Sequence, residues 1–294
     1  MVLLGLALAW PAHGQELEPR AYSPAPVGAS FVVLAHTRSS GDVLPDPSLR
    51  ATDVSAQLQA TSIGYAHTFG LLGRASSFAV GLPYATGHLT GNIGEQSASV
   101  DRSGLGDARL RFSTNLLGGP ALSPAQFAAR ERGTALGVSL SVVAPTGEYD
   151  PARLINIGSN RWAFKPEIGI TREFGRWFAE GSVGVWLFTD NTDFNGGGTR
   201  QQEPLSTVQL HGGYTFRPGL WLAADATYYS GGRTSVNGAD KQDVQENSRY
   251  GLTLSLPIDR SWSAKIAWSK GFFTRAGQDF TTWTVALQYG WFDR

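Results

Sequence analysis

The chain has 294 residues, of which 41% are hydrophobic and 16% charged, and its 24 basic and 24 acidic side chains leave no formal net charge at pH 7. The absence of cysteine excludes a disulfide-rich secreted scaffold, a zinc ribbon and a thiol enzyme, and the neutral balance argues against a nucleic-acid-binding protein, which normally carries a basic excess. The mean hydropathy of −0.15 excludes a bundle of membrane helices but not a transmembrane β-barrel, in which half of the strand residues can face water.

The chain begins with an uncharged apolar run over residues 1–10 that is too short to span a bilayer. The small residues Ala12 and Gly14 follow, and the sequence becomes polar from Gln15. This is the pattern of an export signal cleaved after Gly14. It predicts a signal peptide over 1–14 and a mature chain over 15–294. A buried N-terminal helix is the alternative.

The mature chain alternates between apolar and polar residues, which is the pattern of a strand with one exposed face. The clearest example is 282–291, where small or polar residues separate the members of one apolar face: Trp283, Val285, Leu287, Tyr289 and Trp291. Along the chain this pattern predicts twelve strands, near 29–39, 54–69, 75–90, 105–116, 134–145, 162–174, 177–189, 205–217, 220–229, 248–257, 262–272 and 280–291. Most have the length of about 9–11 residues or more that a tilted transmembrane strand needs. The alternation slips near residues 60–62, so we expect either a bulge or an error in the strand boundary there.

Short and long connections alternate between these strands. The short ones are 70–74, 175–176, 218–219 and 258–261, and the long ones are 40–53, 91–104, 146–161, 190–204, 230–247 and 273–279. Outer-membrane barrels have short periplasmic turns and long extracellular loops. We therefore predict an antiparallel transmembrane β-barrel of about twelve strands, with both termini in the periplasm because the strand number is even.

One periplasmic connection, 117–133, is longer than this rule allows. Ser123 and Gln126 have the spacing of a capping box, and Pro124 stands at the first helical position. Gly133 offers a stop. We predict a short helix over about 124–131 at the periplasmic mouth, with a disordered turn as the alternative.

Aromatic residues gather near both ends of the predicted strands. Those near the short turns are Phe69, Phe174, Trp177, Phe216, Trp262, Tyr289 and Trp291, and those near the long loops are Tyr84, Trp162, Phe164, Tyr228, Tyr250, Phe272 and Trp283. Two such belts match the two membrane interfaces. A soluble β-sandwich, the alternative, has no need of them.

The polar face of the strands places charged and aromatic residues at inward positions. Because buried charges are rare unless paired or hydrated, these residues indicate either a wet lumen or ion pairs that hold the wall together. Their mixed sign argues against a strongly ion-selective pore, and the inward aromatics offer a surface for an apolar or aromatic solute. The candidate lumen-lining residues are Asp107, Arg109, Arg111, Lys165, Glu167, Glu180, Trp186, His211, Trp221, Asp225, Arg249 and Lys265.

The sequence contains no recognisable catalytic or metal-binding motif. No two of its five histidines stand at metal-ligand spacing, so we predict neither a metal nor a cofactor. His36 and His88 are the candidates for a Ser/His/acid cluster of a barrel-embedded lipid hydrolase, but serine is too common here to support that. The stretch 190–196 is rich in side-chain oxygens but lacks EF-hand spacing, which favours an exposed loop over a calcium site.

Several segments resemble a bacterial family of transporters that is linked by name to the MetA pathway of phenol degradation. They are GLGDARLRFSTNLLGGPAL (104–122), VAPTGEYDPARLINIGSNRWAFKPEIG (143–169), WLAADATYYSGGRTS (221–235), NSRYGLTLSLP (247–257) and SWSAKIAWSKGFFTRAG (261–277). The resemblance covers nearly the whole mature chain. It implies an outer-membrane β-barrel connected with uptake of aromatic compounds, and it supplies no catalytic or ligand residues.

From the residues and this resemblance we expect a bacterial outer-membrane channel, not an enzyme. It would take up small hydrophobic or aromatic solutes by passive diffusion, since twelve strands form a narrower barrel than the 16–18-stranded porins. Its other expected partners are outer-membrane lipid and the barrel-assembly machinery. The alternatives are a lipid-modifying enzyme and a structural barrel with an occluded lumen.

Overall fold

The computed structural model describes residues 17–44, 51–93 and 96–293, so the predicted signal peptide over 1–14 lies outside the described residues. Among the described residues, no helix is long and apolar enough to cross a membrane. The strands are β1 (Ala29–Leu44), β2 (Ala51–Leu71), β3 (Arg74–Ile93), β4 (Gln96–Leu105), β5 (Ala108–Leu117), β6 (Thr134–Ala144), β7 (Ala163–Phe174), β8 (Trp177–Phe188), β9 (Asn191–Phe194), β10 (Gly198–Gln202), β11 (Leu205–Arg217), β12 (Leu220–Gly231), β13 (Thr234–Val236), β14 (Ala239–Asp240), β15 (Gln245–Pro257), β16 (Trp262–Phe273) and β17 (Gly277–Phe292), and the helix is α1 (Pro124–Ala128).

The large sheet closes into a barrel. Each strand pairs antiparallel with its neighbours along the chain, β1 pairs with both β2 and β17, and the β2–β3 pairing completes the ring. β4 and β5 pair with the upper and lower parts of β3, so together they occupy one position in the wall. The wall therefore has twelve positions, which agrees with the twelve strands predicted from the alternation.

Along most wall strands, side chains alternate between a buried interior and an exposed exterior. In β12 the buried members include Trp221, Asp225 and Tyr229, whereas Leu222 and Tyr228 are exposed. Large apolar side chains dominate the exterior because that surface meets lipid. The outward aromatics lie near both ends of the strands, and Trp177, at the short-turn end, is 56% exposed.

The bulge considered near residues 60–62 is absent, and that alternative is wrong. Ala60 and Ser62 are buried and Thr61 is exposed, so the alternation continues without interruption, and the register shift of β2 lies between Thr52 and Ser55 instead. The apparent slip arose because the outward residues here, including Gln59, are polar. Polar outward residues are expected where a strand extends beyond the apolar band.

The loop predicted over 91–104 is mostly strand. β3 runs to Ile93, and β4 returns from Gln96 with nearly all of its residues exposed. A hairpin exposed on both faces has no apolar side to bury, so the period-two signal that identifies strands is missing. The long loops over 190–204 and 230–247 contain β9, β10, β13 and β14, which form a separate four-stranded sheet.

The long periplasmic connection contains α1, which starts as expected and ends three residues before the predicted boundary. Ser123 is the N-cap, and the reciprocal contacts of the capping box with Gln126 are both present. The apolar side chain of Phe127 is buried. Arg130 lies beyond the end of the helix. Its guanidinium carbon lies 4.2 Å from the centroid of the Phe127 ring, and the guanidinium pairs with Glu173 of β7.

Candidate functional site: the barrel lumen and its N-terminal segment

The predicted lumen residues on the wall strands lie on the inner face of the barrel. Seven charged or histidine side chains and two tryptophans are buried there: Lys165, Glu167, Glu180, His211, Asp225, Arg249, Lys265, Trp186 and Trp221. Arg109 and Arg111 occupy the same face of β5 and are half-buried. These eleven residues therefore share the inner face of the barrel wall.

The first polar cluster joins β5, β6 and β7. Lys165 Nζ lies 3.0 Å from Glu167 Oε2, and both side chains are at most 2% exposed. Arg111 Nη2 lies 3.5 Å from Glu167 Oε1 and 3.3 Å from the hydroxyl of Ser139. Gln209 donates to Glu167 Oε2 at 3.2 Å. The Glu167 carboxylate is thus compensated from both sides, as a buried charge requires.

The second polar cluster runs across β8, β11, β12 and β15. Glu180 and His211 are cross-strand partners, and so are His211 and Asp225. His211 Nδ1 lies 2.7 Å from Asp225 Oδ1, and Thr253 donates to Asp225 Oδ2 at 2.6 Å. These contacts tie four neighbouring strands together. Further around the wall, Arg249 donates to Ser269 Oγ and to the carbonyl of Phe280.

Residues 17–28, which we call the N-terminal segment, run inside the lumen. The segment enters at the short-turn end, where Thr68 donates to the carbonyl of Pro26 and the amide of Gly28 donates to the carbonyl of Thr68. Further in, the amides of Ala21 and Tyr22 donate to the two carboxylate oxygens of Glu180, at 2.9 and 3.1 Å. The segment therefore occupies the space that a solute would need.

Tyr22 is the central contact of the segment and is only 3% exposed. Its hydroxyl donates to Glu167 Oε1 at 2.7 Å and lies 2.9 Å from Ser139 Oγ. Glu18 adds an ion pair, 2.8 Å from Arg111 Nη1.

Arg20 holds the segment against the opposite side of the lumen. Its guanidinium lies 4.3 Å from the centroid of the Phe178 ring and 5.4 Å from that of Trp221, and it donates to Thr215 Oγ1 at 2.7 Å. Burial lowers the pKa of Arg20. Trp221 was predicted to offer a surface for solute. Its ring contacts this arginine, and the ring centroid lies 5.6 Å from Lys265 Nζ.

One small cavity lies beside the segment. It has a volume of about 20 Å³ and is lined by Ala21, Tyr22 and the hydroxyl-rich wall of β3 and β5, including Ser77 and Ser113. That volume holds about one water molecule. It does not hold a benzene ring.

Asp107, also predicted to line the lumen, has a different role. It lies at the break between β4 and β5, where its carboxylate accepts bonds from the amides of Gly147 and Ser159, at 2.9 and 2.8 Å, and from the hydroxyl of Ser159. Both oxygens are therefore used to fix the loop over 146–161 at the extracellular mouth. The alternation could not show this, because Asp107 is outside a regular strand.

The remaining inward aromatics form a cluster near that mouth. Trp186 and Tyr229 are buried together with Ala163 and Leu205, and the half-buried Phe188 packs against them. The rings of Trp186 and Phe188 are stacked with centroids 6.4 Å apart. This part of the lumen offers an apolar surface.

The histidines considered for an enzyme lie outside the lumen. His36 contacts Thr61 at 3.0 Å on the exposed outer surface, and His88 contacts Asp101 at 2.7 Å on an exposed hairpin. Residues 191–194 form β9, and no group of three or more His, Asp or Glu side chains with metal-binding geometry occurs within 17–44, 51–93 and 96–293.

The sequence analysis did not find the N-terminal segment as part of the site. Its residues precede the first strand and include Pro19, Pro24 and Pro26, so no strand or helix period is present to assign them. The available signal was the concentration of Glu18, Arg20 and Tyr22 in a short stretch of the mature chain.

A protein-family model described as "Putative MetA-pathway of phenol degradation" matches residues 31–289. Among solved structures, the chain is similar to the COG4313 outer membrane channel from Pseudomonas putida F1, with a TM-score of 0.80 and 21% identity over 94% of this chain and 100% of that chain. No curated protein sequence matches the chain significantly.

Two further structures have lower similarity. The KdgM porin has a TM-score of 0.47 and 10% identity, covering 87% of this chain and 98% of that chain. The CymD monoaromatic hydrocarbon channel has a TM-score of 0.42 and 9% identity, covering 92% and 89%. Similarity at this level gives no basis for transferring function. The P. putida structure confirms the fold prediction, and the barrel with its apolar exterior places the protein in the outer membrane.

Proposed function

The chain belongs to the family described as "Putative MetA-pathway of phenol degradation", and from this premise we propose that it is an outer-membrane channel for passive uptake of small hydrophobic or aromatic solutes. In this proposal the N-terminal segment closes the lumen, and a solute passes only after the segment is displaced. The P. putida relative in fold is described as an outer membrane channel, which supports the proposal.

The observation that carries the proposal is the polar character of the contacts between segment and wall. Glu180 accepts hydrogen bonds from backbone amides of the segment, and Glu167 accepts one from the phenol of Tyr22. Arg111 forms an ion pair with Glu18. When the segment leaves, water can replace it at each of these groups. Because a hydrogen bond to a charged group contributes about 1.5–3 kcal/mol net against water, a few such contacts can hold the segment in the lumen and still allow it to leave.

A structural barrel with a permanently occluded lumen is the first alternative. It shares every contact described above and differs only in whether the segment ever leaves. An apolar plug would favour that alternative, because displacement would expose apolar surface on both sides at about 25 cal/mol per Å². The polar contacts of Glu180 and Glu167 therefore favour the channel.

The enzyme alternative has weaker support. A serine–histidine contact does occur at the short-turn end, where Ser30 Oγ lies 2.9 Å from His67 Nδ1, and Asp293 lies 3.9 Å from His67 Nε2. Ser30 is 3% exposed and its hydroxyl also contacts that of Tyr65. A nucleophile needs access to the reacting carbonyl, and this serine is covered.

Two further partners are proposed from the surface. The exposed apolar band between the aromatic belts would contact outer-membrane lipid. The barrel-assembly machinery would act on β17, which ends with the aromatic residues Trp291 and Phe292.

Liposome swelling tests the proposal. Wild-type protein and a variant lacking residues 17–26, which keeps the anchoring contact at Gly28, are reconstituted and challenged with phenol, benzoate and a disaccharide. The channel predicts slow swelling for wild type and faster swelling for the variant with benzoate and phenol. A correctly folded variant that admits none of these solutes would contradict it.

A further inference from the structure

Two arginines stand at the extracellular mouth, each against a phenylalanine ring. Arg161, just before β7, has its guanidinium carbon 4.5 Å from the ring centroid of Phe188. Arg200, in β10, has its guanidinium carbon 5.4 Å from that of Phe194. We call Arg161 and Arg200 the mouth arginines. Phe188 belongs to the aromatic cluster of the upper lumen, so the mouth arginines lie where a solute would enter.

The hydrogen-bonding capacity of the mouth arginines is incompletely used. Arg161 Nη2 donates to Gln202 Oε1, whereas Arg161 Nη1 is buried with no hydrogen-bond partner among the described residues. The Arg200 side chain makes no hydrogen bond or ion pair within the described part of the chain. A buried donor without an acceptor is costly, and an incoming acceptor would remove that cost.

The carboxylates around the mouth arginines are already engaged elsewhere. Asp107 accepts hydrogen bonds from Gly147 and Ser159. Asp190 accepts one from Gln201, and Asp243 accepts two from Thr234. They act on the mouth arginines only through space.

Both guanidinium groups remain charged at neutral pH. Burial, followed by the repulsion from Arg200, lowers the pKa of Arg161 to about 10. Burial lowers the pKa of Arg200, and electrostatic attraction to Asp243 and Tyr149 opposes that shift. Neither cation has a directly bonded counter-ion among the described residues. An anion bound at the mouth would offset their positive charge.

We propose that the mouth arginines, with Phe188 and Phe194, bind the carboxylate of a small aromatic acid before it enters the lumen. The carboxylate would accept hydrogen bonds from Arg161 Nη1 and from Arg200, a geometry that a planar guanidinium suits. The aromatic ring would lie against the parts of Phe188 and Phe194 that the guanidinium groups leave exposed.

This inference rests on the proposed channel function, because it names a solute class for the same lumen. It adds a preference that the function alone does not require. A channel for neutral aromatic compounds would have no use for two unsatisfied cations at its mouth.

Isothermal titration calorimetry on detergent-solubilised full-length protein measures binding directly. It therefore tests the site without any transport step. Benzoate is the probe, benzyl alcohol supplies the ring without the charge, and acetate and inorganic phosphate supply the charge without the ring. We expect saturable benzoate binding that is tighter than that of the other three. Arg161→Gln should weaken benzoate binding by about tenfold, the loss of one charge-assisted hydrogen bond.

Arg153→Gln is the matched control. It removes the same charge from the same loop, and Arg153 pairs only on the surface with Asp150 at 2.8 Å. It should leave benzoate binding unchanged, and Arg161→Lys should retain more affinity than Arg161→Gln.

Three results would overturn the inference. Benzoate could bind no better than benzyl alcohol, acetate or phosphate could bind as well as benzoate, or Arg161→Gln and Arg153→Gln could behave alike in protein whose heat-modifiable gel mobility confirms folding. Failure of the channel itself is a separate observation, because it would appear as absent swelling in liposomes while benzoate binding persisted.

Discussion

Gly137 on β6 and Gly169 on β7 are cross-strand partners, and together they form the seat of the Tyr22 ring. A Cβ atom added to Gly137 would lie 2.9 Å from Tyr22 Cδ1, and one added to Gly169 would overlap the ring. Two inward glycines side by side allow the backbone wall to approach the aromatic ring closely. The closed state of the lumen therefore depends on two positions that carry no side chain.

Gly169→Val should displace the N-terminal segment. The added side chain occupies the position of the Tyr22 ring, so the bonds from Tyr22 to Glu167 and Ser139 are lost and Arg20 leaves its pocket. Trypsin should then cleave after Arg20 at least tenfold faster than in wild type, as followed by mass spectrometry. The control is Gly212→Ala, at an outward position of β11 where an added Cβ meets nothing within 4 Å. Equal cleavage rates in the two variants would contradict the claim that the Tyr22 ring packs against Gly137 and Gly169.

Glu167→Gln should destabilise the barrel. The change removes the carboxylate that Lys165 and Arg111 contact, and breaking a buried ion pair from one side costs about 3–5 kcal/mol. Equilibrium unfolding in urea with reconstituted protein measures the free energy of unfolding. Glu246→Gln provides the comparison, since its pair with Arg275 is about half exposed on both sides and is worth at most about 1 kcal/mol. Similar losses in both variants would show that the lumen cluster contributes no more than a surface pair.

Asp107→Ala should release the extracellular loop over 146–161 while leaving the wall intact. The amides of Gly147 and Ser159 lose their carboxylate acceptor, so their hydrogen exchange should accelerate by about tenfold or more. Asp240→Ala removes a surface partner of Arg233, 3.7 Å away, and should leave these two amides unchanged. Continued protection of Gly147 and Ser159 in Asp107→Ala would mean that other contacts hold the loop.

The periplasmic turn between β15 and β16 should depend on pH through Asp259. Its Oδ1 accepts from the amides of Trp262 and Ser261, at 2.8 and 2.7 Å, and these bonds hold the pKa of Asp259 below its ordinary value of 3.8. Because its pKa is depressed, Asp259 stabilises the turn fully at pH values above its ordinary pKa. This stabilisation is lost as the pH falls through the lowered pKa.

The amide resonances of Ser261 and Trp262 should therefore stay constant from neutral pH down to about pH 4 and shift together below it. Asp259→Asn keeps an acceptor at the same place and should abolish that shift. A transition centred well above pH 4 in wild type would contradict the assignment.

The wall of the barrel was predictable from sequence because each strand obeys one simple rule. Trp283 and Val285 alternate with small or polar partners, and the lipid outside and the packed interior impose that alternation directly. The rule fails where neither environment applies. The hairpin from β3 to β4 is exposed on both faces, and its strand β4 was taken for a loop.

The closed state of the lumen was not predictable, because it depends on contacts between distant parts of the chain. Tyr22 and Glu167 are separated by 145 positions, and no local pattern links them. Glu167 and Glu180 lie on the inner face, and their contacts with the N-terminal segment come from backbone amides and from a phenol in a proline-rich stretch. A periodicity argument can find a polar face without finding what occupies it.

The most direct test of the proposed function is single-channel recording in planar bilayers with wild-type protein and the variant that lacks residues 17–26. The account predicts that wild type is mostly closed with brief openings, and that the variant conducts steadily because its lumen is no longer filled. A folded variant with no more conductance than wild type would mean that the segment does not close the channel, and would contradict the central claim.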